Sequence, residues 1–188
     1  MLTMEDWTRG IGTLPVVKGL VWFTDRSRMK EGTGAGVYGQ YVGRRLSFSV
    51  GRYATVSQAV IYAILACAHE IQFEGRPEKP VSICSDSQLA LKALQAFRTT
   101  TPLVQQCQKA LSVSSTRHAV GLYWVPRRAG VRGNEIADEL ASGGDALKFV
   151  GPEPALGFSR QDIRRRIRGW LVNCGGEVLV KPKDWLEN

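Results

Sequence analysis

The hydrophobic period of the chain changes at Val56, and that change constrains the fold more than any other feature. From Val56 to Phe73 the apolar residues Val60, Ile61, Ile64, Leu65, Ala68 and Ile71 recur at helical spacing. Before it the apolar runs are short. Val16 to Thr24 is β-branched and aromatic and stops at Asp25; Gly34 to Tyr41 and Arg44 to Val50 follow closely, and RLSFSV alternates as a half-buried strand does. Three strands with short connections predict an antiparallel meander. After the helix, Gly75 to Pro80 breaks the pattern, and Val81 to Ser85 reads as a short buried strand ending at Asp86. Ser87 to Phe97 reads as helix, a further helix opens at Thr101 or Pro102 and runs to about Ser112, and Val120 to Val125 is strand again. A basic turn from Pro126 to Gly133 leads into a last helix from about Asn134 to Ala141. The order βββαβααβα predicts an α/β fold, a mixed five-stranded sheet with helices on both faces.

At 188 residues the chain is long enough for one domain plus a modest extension. The segment GGDALKFVGPEPALG after Ser142 has linker composition. The expected organisation is an N-terminal lead (1–15), a domain (16–145), a linker (146–158) and a C-terminal extension (159–188) holding one short helix, with Ser159 as its N-cap and its end near Val172. The net charge is +8, and half of it falls between Arg160 and Arg168, where five arginines face one acid, Asp162. In the same stretch Ile163, Ile167, Trp170 and Leu171 fall on one helical face. Such a helix docks on its own domain, extends nucleic-acid binding, or meets a membrane surface or partner groove; the sequence does not choose. Four scattered cysteines without a C-x-x-C pair, and two histidines, argue against a zinc site or a dithiol redox centre. No apolar run reaches the ~18 residues of a membrane span, and Met1 to Thr13 lacks the pattern of a signal peptide. The expected location is intracellular, in nucleus or cytoplasm.

Three carboxylates stand where α/β folds keep their chemistry. Asp25 and Asp86 end strands, and Asp138 lies in a helix among Ile136, Ala137 and Leu140. A strand end holds a side chain rigidly in the crevice outside the sheet. If the first and fourth strands are neighbours, Asp25 and Asp86 converge. Clustered carboxylates repel one another unless a cation lies between them, which points to hard divalent ions.

The strings FTDRS (Phe23 to Ser27), GAGVY (Gly34 to Tyr38), SQAVIYAI (Ser57 to Ile64), SDSQLAL (Ser85 to Leu91), WVPRRAG (Trp124 to Gly130) and GNEIADELA (Gly133 to Ala141) resemble, in this order, the ribonuclease H domains. They look most like the version that follows a reverse transcriptase in non-LTR retrotransposons. The resemblance spans about Leu20 to Gly144. It implies a ribonuclease H-like fold and hydrolysis of the RNA strand of an RNA–DNA hybrid with two Mg2+ ions, Mn2+ being an alternative. It places catalytic, metal-binding aspartates at Asp25, Asp86 and Asp138.

The chain departs from that pattern at its functional positions. The family's remaining carboxylate, a glutamate on the first helix, is Val60, which has no oxygen to offer. Within the same helix Glu70 is ten residues on, roughly 15 Å away, and cannot substitute. The glycine after the first aspartate is Arg26, and the glycine-histidine pair before the last helix is Arg127-Arg128. Arginine cannot shuttle protons as histidine does, yet it can hold a phosphate. Weakened metal binding and impaired cleavage are therefore expected of a degenerate retroelement copy. The same departures suit an inactive nucleic-acid-binding or protein-interaction module, or an inert fragment. The expected nucleic-acid contacts are Arg26, Arg127, Arg128 and Arg132 in loops, with Asn134 and Glu135 at the start of the last helix.

Overall fold

The computed structural model describes residues 19–28, 32–73, 79–97, 101–127, 130–146, 154, 156 and 160–173. The N-terminal lead, the expected strand start at Val16, Arg128, most of the expected linker and residues 174–188 lie outside them. The chain divides into two units, Met1–Gly157 and Phe158–Asn188.

In the first unit β1 (Leu20–Arg28), β2 (Thr33–Gly39) and β3 (Arg44–Ser49) form the antiparallel meander, and β4 (Val81–Ser85) and β5 (Val120–Trp124) extend it in parallel. The strand order is β3-β2-β1-β4-β5. Helices α1 (Val56–Phe73), α2 (Gln88–Gln95), α3 (Pro102–Ser115) and α4 (Arg132–Ala146) complete the expected order. Local chemistry fixes where the helices begin. Thr55 and Gln58 form a reciprocal capping box at α1, the Gln58 amide donating to Thr55 Oγ1 and the Thr55 amide to Gln58 Oε1. Ser87 caps α2 and Thr101 caps α3, with Pro102 in its first turn.

The two faces of the sheet are unequal. Leu20 and Trp22 of β1 join Ala59, Val60, Ile64 and Ile71 of α1 in a large apolar cluster that also takes in α2 and α3. The alternate residues of β1, Val21 and Phe23, join Cys84, Val125 and Ala137 in a small cluster under α4. Helix α1 is long and apolar enough to cross a membrane by length and composition, although no such run was expected. Nine of its residues are buried, so it serves as the core helix of this unit.

Two elements beside the acids, β1 and α4, run further than the sequence expectation. Strand β1 does not stop at Asp25: its parallel partner ends at the pair Thr24↔Ser85, while antiparallel pairing with β2 continues to Arg28↔Thr33. Helix α4 starts at Arg132 rather than Asn134, because the Val131 carbonyl already accepts from the Asn134 and Glu135 amides. It also runs through Gly143 and Gly144 to Ala146. Packing against β3 overrides the low helix propensity of glycine there, Ser47 Oγ donating to the Leu140 carbonyl at 2.6 Å.

In the second unit α5 (Arg160–Asn173) is the expected basic helix. Ile163, Ile167 and Trp170 on its apolar stripe are exposed, and Leu171 is half-buried.

Candidate active site

Strand pairing brings the first two acids together. Asp25 is the first residue of β1 beyond the β4 ladder, and Asp86 is the first residue after β4, so both stand at the same level, at the end of that ladder. Asp138 arrives on α4. Its approach depends on Gly36, the antiparallel partner of Asp25, because a Cβ there would collide with the Ala137 carbonyl and the Ala141 amide. The glycine is required by this close passage of a helix over a strand.

Asp25 is fully buried. That burial pushes its carboxyl up to about 7, and the charges of Asp86 and Asp138 push the same way. The Arg26 amide, 2.7 Å from Oδ1, and the Arg26 guanidinium pull it back. Asn134, also buried, donates from Nδ2 to Asp25 Oδ2 at 3.3 Å. The remaining neutralisation comes from arginine. Arg26 Nη1 lies 3.8 Å from Asp25 Oδ1. Arg127 spans the other two acids, with Nε 3.7 Å from Asp86 Oδ2 and Nη2 3.8 Å from Asp138 Oδ1. Trp124 Nε1 holds the Asp86 carbonyl at 3.0 Å and anchors that turn.

A family model for RNase H matches residues 17–145. The chain belongs to the RNase H family. No curated protein matches it. The match spans the sheet and helices α1 to α4, and the observed fold is the α/β ribonuclease H-like one. The function it carries is ribonuclease H-like, directed at RNA–DNA hybrids, and the family in general uses divalent metals.

As they stand, the residues of this RNase H domain fit that metal only in part. Asp86 Oδ1 and Asn134 Oδ1 are buried acceptors without a hydrogen-bond donor, which would suit a cation. Yet among the described residues no three acidic, histidine or cysteine side chains form a group that would hold an ion. The positive charge between Asp86 and Asp138 is already the Arg127 guanidinium. Val60, where the sequence resemblance expects the family's glutamate, is fully buried in the large apolar cluster. Glu70 is engaged elsewhere, with Arg44 Nε 3.2 Å from its Oε2.

The residues expected to touch nucleic acid divide accordingly. Arg26, Arg127 and Asn134 are turned to the aspartates, whereas Arg132 and Glu135 are exposed on the first turn of α4. Arg128 lies outside the described residues. Sequence reasoning did not find the Arg127 bridge, although a signal existed: three converging acids need a compensating cation nearby, and Arg127 stands in the turn just before the helix of the third. It also did not find Gly36, or the pairing of Tyr38 on β2 with Arg45 on β3.

Proposed function

We propose that this chain is an RNase H domain of non-LTR retroelement origin that binds RNA–DNA hybrids and whose ancestral two-metal hydrolysis of the RNA strand is impaired. The observation that carries the reading is Arg127, set between Asp86 and Asp138 while the fourth carboxylate position is the buried Val60. Asp25, Asp86 and Asp138 are the surviving catalytic and metal-binding set, with weak affinity for Mg2+ or Mn2+. Arg132 and the loop arginines of the domain 16–145 supply phosphate contacts. The same bridge favours a second reading, in which hydrolysis is gone and the fold persists as a nucleic-acid-binding or protein-interaction module.

The test is a gel assay of a labelled hybrid with Mg2+ or Mn2+, run beside a binding titration. Hybrid binding is expected at low salt and falls steeply as salt is added, through counterion release. Cleavage by the natural chain is expected to be slow, and Val60→Glu to raise it about a hundredfold while Val60→Gln does not, in line with the ~3–4 kcal/mol that one transition-state charge interaction supplies. Glutamine tests shape apart from charge. A natural chain that cleaves as fast as the Val60→Glu variant under saturating Mg2+ is an active ribonuclease H, and the impairment is then refuted.

A further inference from the structure

Beside the acidic site, on the same face of the sheet, lies a cleft of about 470 Å3, of whose lining the reading above uses only Arg132. Its volume suits a small ligand. Strand register builds its floor: Phe23 of β1 is paired with Tyr38 of β2, and Tyr38 with Arg45 of β3. Three cross-strand neighbours thus form one row. The Phe23 and Tyr38 rings are stacked, with centroids 6.4 Å apart and planes inclined by 22°. The Arg45 guanidinium lies over the Tyr38 ring, 5.6 Å from its centroid. Gln40 and Arg132 complete the polar lining, and among the described residues that line the cleft none is acidic. Arg45, Gln40 and Arg132 are exposed to solvent and Tyr38 is half-buried.

The ligand chemistry follows from that lining. A planar guanidinium backed by an aromatic ring offers a stacking surface to another flat π system, and a second guanidinium within the same cleft offers a phosphate its charge. A nucleotide carries both groups. The base must be unpaired, because in a duplex its faces are covered by its neighbours. Location agrees. Phe23 precedes Asp25 by two residues on the same face of β1, about 7 Å, which is one or two nucleotides along a strand.

We propose that this cleft is a subsite for an unpaired nucleotide, with its base stacked on the Arg45–Tyr38 pair and its phosphate held by Arg132. The subsite deepens the hybrid-binding reading and rests on it for the duplex that lies alongside. A strand running past the acidic site into the cleft would make a hybrid with a single-stranded overhang a better ligand than a blunt one.

Fluorescence anisotropy at low salt tests this with three labelled probes: a blunt 12-base-pair hybrid, the same hybrid with a three-thymidine overhang, and octathymidylate alone. The overhang is expected to tighten binding about tenfold, in line with the stacking of a single base. Arg45→Glu is expected to abolish that advantage and to weaken octathymidylate binding at least tenfold. Arg117→Glu makes the same charge change at the opposite end of the parallel strands, beyond α3 and before β5, and is expected to leave the ratio of overhang to blunt affinity intact. Tyr38→Leu, verified by its melting curve, is a second variant expected to lose the advantage. Octathymidylate that fails to bind, or an overhang advantage that survives Arg45→Glu, overturns the subsite even where the blunt hybrid binds well. Loss of the blunt hybrid with octathymidylate binding retained overturns the hybrid reading instead and leaves the subsite supported.

Discussion

Two rows of residues cross β1, β2 and β3 two positions apart, and they have opposite characters. One is Asp25–Gly36–Ser47, and the other is Phe23–Tyr38–Arg45. The first is covered by α4, which passes so close that only glycine fits at position 36 and which accepts a hydrogen bond from Ser47. The second emerges where α4 begins: Gly133 sits over the Phe23 ring, and beyond it Tyr38 and Arg45 face open space. In the covered row, the Asp25 carboxyl is buried and answered internally by Arg26 and Asn134, while Arg127 answers the neighbouring Asp86 and Asp138. In the open row, positive charge is left to solvent or a ligand. The difference teaches that the start of one helix divides a single sheet face into a self-neutralised acidic site and a basic cleft.

The sharpest way to break the comparison is Gly36→Ala. The new methyl group would meet helix backbone, which cannot rotate away, so α4 must shift and carry Asp138 with it. A loss of about 3 kcal/mol is expected in chemical denaturation, at the upper end of ordinary overpacking. A variant as stable as the natural chain would show that α4 does not lie on β2 as described.

A smaller effect is expected from Asp25→Asn. The Asp25 carboxyl is raised from 3.8 to about 7, so the folded state holds its proton more tightly than the unfolded state does. Its contribution to stability is complete below about pH 4, falls as pH rises, and is lost above about pH 7. The asparagine side chain has no such titration, so the variant should gain on the natural chain as pH rises from 5 to 8, by on the order of 2 kcal/mol. Melting curves across that range measure it, and parallel curves for both proteins would remove Asp25 from the buried position.

The smallest effect is expected from Arg127→Ala. Removing the bridge leaves Asp86 and Asp138 facing one another without their cation. Stability without metal should fall by only about 0.5–1 kcal/mol, because the guanidinium is half exposed and its charge is screened. Mn2+ affinity, followed by calorimetric titration, should rise about tenfold. Unchanged affinity would mean that Arg127 is not what opposes the ion, and would turn attention to Val60.

Much of the fold was legible in the sequence because local pattern and tertiary need coincide. Helix α1 and strand β4 have the bounds that periodicity assigns them, and Ser87 and Thr101 cap the helices they precede. The resemblance of the six motifs singled out Asp25, Asp86 and Asp138, and the fold brings Asp86 and Asp138 to one guanidinium and sets Asp25 beside them. Tertiary structure alone decided where β1 ends, because a strand continues as long as one neighbour remains to accept its hydrogen bonds. It alone carried α4 across two consecutive glycines, where packing on β3 outweighs propensity. The Arg127 bridge and the Phe23–Tyr38–Arg45 row join residues far apart in sequence through register and charge, and neither interaction has a local signature. Sequence determined which chemical groups the protein owns, and the fold determined which of them neutralise one another and which are left open.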